Sequence, residues 1–242
     1  MIVLYTDFGA GGPYVGQVHA VLAQQAPGAV IIDLFHDLPS QDIRAAAYLL
    51  PAYTQGFPPG TVFLCVVDPG VGGARRALVV RADNRWYVGP DNGLFHVLAR
   101  RAQALECREI RWRPAHLSPT FHGRDLFAPV VAQLARGLIP ECLPAELAAS
   151  LPDWPEDLPQ VIYIDHFGNA ITGLRAGHLG DSARLQVGAT TLARARTYAE
   201  VGAGVGFWYE NANGLAEIAI SQGRASEKFD IRVGSRLNIV ID

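Results

Sequence analysis

The stretch VVDPGVGGARR (66–76) runs an apolar segment into an aspartate, a Pro-Gly step, further glycines and two arginines. Three chemistries compete for it: a phosphate-cradling loop, an ordinary tight turn, or a carboxylate set at the end of a buried strand. A P-loop needs its glycines to lead into Gly-Lys-Ser/Thr, because the lysine and hydroxyl meet phosphates and magnesium. Here they lead into Ala74, Arg75 and Arg76 instead. The dinucleotide fingerprint also fails, at Gly70, Gly72 and Arg75 and again at Gly9, Gly11 and Tyr14. Two readings survive. In one, Asp68 caps its own turn and the arginines are solvated. In the other, Asp68 stands where open α/β sheets place their ligands and the turn swings Arg75 back to it.

Similar polar clusters recur. TDFG puts Asp7 behind the first apolar run, GPDNG puts Asp91 and Asn92 behind another, and FHGRD puts His122 beside an arginine and an aspartate. A histidine so placed is a candidate for activating water. His166 in IDHFGN reads as the blander residue, between Asp165 and Asn169 as better recognition groups. The other histidines (His19, His36, His96, His116 and His178) show no metal-ligand spacing and HExxH is absent, so no metal is expected. Trp112, Trp154 and Trp208 read as packing residues.

The elements that must position these groups follow from periodicity. IVLYT, AVIIDLF, TVFLCVV, ALVVRA and RWYVG are short runs, mostly apolar on both faces, as in a sheet covered by helices. Residues 14–25 carry Val15, Val18, Val21 and Leu22 on one helical face, and Ser40 can cap a helix bearing Ile43, Ala46, Ala47 and Leu50. Residues 93–101 and 125–136 predict two more helices. Asp83-Asn84 separates two strands so closely that a hairpin, and hence a mixed sheet, is expected.

Five prolines then crowd residues 138–160, which reads as a linker. Beyond it, QVIYI, ARLQV, GVGFWYE, LAEIAI and KFDIRVGSRLNIVID are strand-like and broken by Gly, Asn and Ser. The expected organisation is an α/β domain over 1–150, a Pro-rich linker over 151–160 and a small all-β domain over 161–242.

Composition bounds the function. Half of the 242 residues are hydrophobic, enough for a sizeable core, and the formal net charge of -3 with no basic run excludes a phosphate-backbone partner. The three cysteines are dispersed and form no CxxC, which points to a reduced, cytoplasmic setting. MIVLY lacks a basic flank, and no apolar run approaches the roughly 20 residues of a membrane span.

Taken in order, TDFG, YVG at Tyr14, DPGVGGARR, GPDNGL, FHGRDLFAP and DHFGNAIT resemble the S-adenosyl-L-methionine (SAM) hydroxide adenosyltransferase family, which is related to the fluorinases and chlorinases. The resemblance spans nearly the whole chain. It implies a Rossmann-like N-terminal domain and a C-terminal β-barrel domain. It also implies a homotrimer whose active sites lie between the N-terminal domain of one subunit and the C-terminal domain of the next. The implied activity is hydrolysis of SAM to adenosine and L-methionine, SAM being the substrate and no cofactor being needed. Asp68, Arg75 and His122 would activate water. Asp7 would accept hydrogen bonds from the ribose hydroxyls, and Phe8 would lie near the nucleoside. Asp165 would face the methionine amine and Asn169 would read adenine, with Phe167, Glu217 and Ala225 also lining the substrate. Departures are Gly173, where many relatives carry asparagine, and ENANG (210–214), where they carry a serine-bearing loop. The rivals are a halogenase, which would lack the Asp, Arg and His set, a non-catalytic SAM or adenosine sensor, and a purely structural oligomer.

Overall fold

The computed structural model describes residues 1–148 and 154–240, in two compact units, Met1–Pro152 and Asp153–Asp242.

The first unit runs β1 (Ile2–Thr6), α1 (Pro13–Gln25), β2 (Ile31–Phe35), α2 (Ile43–Thr54), β3 (Val62–Val66), β4 (Ala77–Ala82), β5 (Arg85–Pro90), α3 (His96–Arg101), β6 (Leu105–Ile110), α4 (Ala128–Ala135) and β7 (Cys142–Pro144). Its seven strands form one sheet in the order β2-β1-β3-β5-β4-β6-β7. β1 pairs in parallel with β2 and β3, and β3 with β5, while β4 is antiparallel to both its neighbours. The sheet is therefore mixed. The hairpin behind this mixture turns on Asp83 and Asn84, whose φ angles of 46° and 64° suit the primed turn that follows a right-handed strand twist.

β1 and β3 are buried at every residue because helices cover both faces. On one face Ile2, Leu4, Val62 and Leu64 pack with Val18 and Leu22 of α1 and Val130 and Val131 of α4. On the other, the Tyr5 hydroxyl donates to the Ala46 carbonyl of α2 at 2.7 Å. The residue capping α2 is Asp42, whose carboxylate accepts from the Ala45 N–H at 2.9 Å, and not Ser40 as its hydroxyl suggested. The expected helix over 125–136 starts earlier, as a π-helical turn Gly123–Phe127 that runs into α4. Such wide turns concentrate at functional sites.

The second unit contains β8 (Leu158–Ile164), β9 (Ala170–Arg175), β10 (Arg184–Val187), β11 (Thr190–Leu192), β12 (Gly206–Glu210), β13 (Leu215–Ile220), α5 (Ala225–Lys228) and β14 (Asn238–Val240). It forms a four-stranded sheet, β12-β13-β9-β8, and a three-stranded sheet, β11-β10-β14, both antiparallel. Trp208 is fully buried between them and its Nε1–H donates to the Ala183 carbonyl at 3.0 Å, which supports its reading as a packing residue. The single turn of α5 and two 3-10 turns, Ala176–His178 and Tyr198–Glu200, interrupt the strands.

Pro144 and Pro159 lie in β7 and β8, which are edge strands, where a missing N–H costs no ladder bond. Residues 158–160 of the expected linker are thus strand, and its residues 151–153 lie outside the described residues. Gly173, a departure from the family pattern, has a packing reason: a Cβ there would come within 2.7 Å of Leu158 Cβ across the β8–β9 pair.

Candidate active site

The chain leaves β1 for β2 on one side and later returns as β3 on the other, so a topological switch point opens between the carboxyl ends of β1 and β3. Asp7 follows β1 and Asp68 follows β3, and the Asp7 N–H donates to the Val66 carbonyl at 3.3 Å. A cavity of about 360 Å³ lies here, with Asp7, Phe8, Asp68 and His122 among its lining residues.

The glycines of the Asp68 loop have geometric work. Gly72 has φ of 82°, and a Cβ on it would stand 2.4 Å from the Pro119 carbonyl oxygen, so this loop lies directly against the segment that leads to His122. The turn returns Arg75 to Asp68: Nε donates to both carboxylate oxygens, at 2.9 and 3.0 Å, and Nη2 also contacts Oδ2. Nη2 further donates to His122 Nδ1 at 2.9 Å. The side chains of Asp68 and Arg75 are 4% and 11% exposed, so this pair is shielded from solvent. Arg76 is diverted to Asp91, its Nε and Nη2 lying 2.8 and 2.6 Å from Oδ2. Asn92 donates to the Val67 carbonyl at 2.9 Å and braces the strand end beneath Asp68. Asp91 and Asn92 therefore support the loop.

Arg75 never accepts a hydrogen bond, so the bond to His122 fixes the lone pair on Nδ1 and, in the neutral ring, the proton on Nε2. Burial and the adjacent Arg75 guanidinium both push the His122 pKa below its usual 6.5, which keeps the ring neutral. Burial raises the Asp7 pKa above the usual 3.8, opposed by the Gln41 N–H that Oδ2 accepts at 2.9 Å.

An aromatic wall completes this pocket. Phe121 meets Phe8 and Tyr14 edge to face, with centroids 5.8 and 5.3 Å away. Gly123 makes room for it, since a Cβ there would lie 2.8 Å from the Phe8 ring. Tyr14 and Phe121 lay within the motifs but their apolar character gave no reason to single them out as site residues.

The remaining expected residues lie in the second unit. The Asp165 carboxylate accepts the Asn169 N–H at 2.8 Å and the Asn169 side-chain amide at 3.0 Å, across a turn whose Gly168 has φ of 82°. Glu217 of β13 accepts the Tyr209 hydroxyl at 2.5 Å and the Asn211 amide at 2.9 Å. Burial raises the Glu217 pKa, against these two bonds. Asn169 and Glu217 are buried and form part of one polar cluster with Tyr209 and Asn211, while Phe167 is 70% exposed beside it. Ala225 is buried at the start of α5, next to Ser226, whose N–H donates to the Gly168 carbonyl at 2.9 Å. Asn211 lies in the ENANG departure, but its bond to Glu217 and that of Tyr209 depend on strand pairing that spacing does not reveal.

The fold and the pocket define a two-unit enzyme-like architecture with a shielded Asp–Arg–His cluster at a switch point. The chain belongs to the SAM hydroxide adenosyltransferase family: the model of that family's N-terminal domain matches residues 2–143 and that of its C-terminal domain residues 159–238. It is 43% identical to the (R)-S-adenosyl-L-methionine hydrolase of Thermus thermophilus, over 99% of each chain. A fluorinase of an Actinoplanes species is 26% identical over 57% of this chain and 55% of its own. The solved structure of an uncharacterized conserved protein from Thermotoga maritima superposes with a TM-score of 0.86 at 34% identity, over 99% of each chain. Among the described residues, no helix is long and apolar enough to cross a membrane.

Proposed function

We propose that the protein hydrolyses S-adenosyl-L-methionine to adenosine and L-methionine, by attack of an activated water on C5' with the sulfonium as leaving group. The observation that carries this reading is the bonding of Arg75 to both Asp68 and His122 in the pocket that also presents Asp7. The name of the Thermus relative specifies the R sulfonium, and we extend that preference to this chain.

Methionine is already a good leaving group when it departs from a sulfonium, so no general acid is required. The scarce component is the nucleophile, since free water is far too weak an acid to supply hydroxide near neutral pH. His122, with Nδ1 occupied by Arg75, presents Nε2–H and orients the water by donation. Asp68 is then the acceptor of the water proton, and Arg75 holds the developing hydroxide electrostatically. Asp7 accepts from the ribose hydroxyls and Phe8 packs near the nucleoside. Asp165, Phe167, Asn169, Glu217 and Ala225 form the proposed contribution of the second unit, with Asp165 on the methionine amine and Asn169 on adenine. SAM is the substrate and the reaction draws on no cofactor.

The finer architecture belongs to the same proposal. The parallel β2-β1-β3 order supports a Rossmann-like first unit. Two antiparallel sheets around one core that includes Leu185, Trp208 and Ile218 support a barrel. A cytoplasmic homotrimer with sites shared between subunits rests on the family resemblance.

The test is to incubate purified protein with SAM, with and without excess chloride, and to separate the products. Adenosine and methionine in both samples support hydrolysis. 5'-Chloro-5'-deoxyadenosine would establish a halogenase, and tight SAM binding without product would establish a sensor.

A further inference from the structure

Away from this pocket, three side chains from separate elements converge at the edge of the first sheet. His19 lies on α1, Asp33 in the edge strand β2, and His36 just beyond that strand. His19 Nε2 and His36 Nε2 stand 2.8 and 2.9 Å from the same atom, Asp33 Oδ1. One donor atom from each of the three residues fits within a span of 4.8 Å. Spacing along the chain concealed the group, because its members come from a helix, a strand and a loop.

We propose that His19, Asp33 and His36 bind a divalent transition-metal cation of the zinc type. Two imidazole nitrogens and one carboxylate oxygen form a donor set suited to such ions. In a tetrahedral site with bonds of about 2.0–2.2 Å, donors stand roughly 3.3 Å apart, so the separations of 2.8 and 2.9 Å open slightly while the two imidazole nitrogens, within 4.8 Å of each other, draw together. The side chains of His19 and Asp33 are 35% and 46% exposed, which leaves an entry path and room for water to complete the coordination.

The ring of His36 is also held from behind. Its Nδ1 lies 2.8 Å from the hydroxyl of buried Thr6. When Nε2–H donates to Asp33, the hydroxyl donates to Nδ1. When the cation takes the Nε2 lone pair, the proton resides on Nδ1 and the hydroxyl accepts it. Thr6 therefore supports the metal-free and the metal-bound tautomers, as partners of metal-bound histidines do. The His36 carbonyl accepts the Gly9 N–H at 2.6 Å, so a bound ion would brace the loop that carries Asp7. No step of the proposed hydrolysis runs through it.

The experiment is calorimetric titration of Zn²⁺ into the full, tag-free chain after removal of metal by a chelator, alongside His19→Ala and Asp33→Asn, with circular dichroism to verify folding. His19 is half-buried and lies outside the hydrophobic core cluster, so its removal leaves the core intact. The expected result is about one ion per chain, with affinity at least roughly tenfold weaker in each variant. No binding by the unaltered chain, or unchanged affinity in both folded variants, would overturn the proposal.

Discussion

The Arg75 guanidinium donates to Nδ1 of His122 at 2.9 Å while bonding the Asp68 carboxylate through Nε. One planar, permanently charged group thus fixes both the carboxylate orientation and the histidine tautomer. Arg75→Lys keeps the charge and loses the fork, so turnover should fall by about 10²–10³, the usual effect of removing one preorganised donor. Steady-state kinetics should show the loss mainly in kcat, with KM changed far less. A lysine variant of near-normal kcat would contradict the assignment.

The pH dependence follows from the same contact. His122 has its pKa lowered below 6.5 by burial and by Arg75, so the neutral ring persists into mildly acidic solution. The activity profile, measured as kcat/KM, should be flat through neutrality and fall only as pH drops below 6.5. Stability responds in the same direction. Between the lowered folded value and the unfolded value the unfolded chain binds more protons, so this group's contribution is lost as pH falls through that window. An acid limb centred above 6.5 would contradict the lowered value.

Gly72 combines a positive φ of 82° with a Cβ position 2.4 Å from a backbone carbonyl, and neither can relax cheaply. Gly72→Ala should cost about 1–3 kcal/mol by strain alone. It should also displace the Asp68 loop from the His122 segment. Calorimetry should record a lower melting temperature together with reduced turnover.

Asp42 caps α2 through the Ala45 N–H and is not among the residues that line the pocket. Asp42→Ala should lower stability by about 1 kcal/mol, while kcat stays within a factor of about two. Denaturant melts and kinetics on one preparation would check the pair.

Much of this was legible in the sequence wherever a signal was local. The apolar runs of β1 and β3, the Asp83-Asn84 hairpin and the ordered polar motifs follow from neighbouring residues alone. Where the outcome depended on contacts between distant segments, the sequence was less informative. Ser40 and Asp42 are both competent caps, and only the left-handed Gln41, with φ of 62°, shows why the helix begins after Asp42. Arg75 and Arg76 are indistinguishable in VVDPGVGGARR until the fold gives one to Asp68 and the other to Asp91. His19 and His36, 17 positions apart, acquire a common partner only when α1 packs beside the edge strand.

In the proposed reaction water attacks C5' of SAM. The direct measurement is a single-turnover reaction in water labelled with heavy oxygen, followed by mass spectrometry of the products. Label is expected in the 5'-hydroxyl of adenosine and not in methionine. Unlabelled adenosine, or label in a product of cleavage elsewhere, would contradict it.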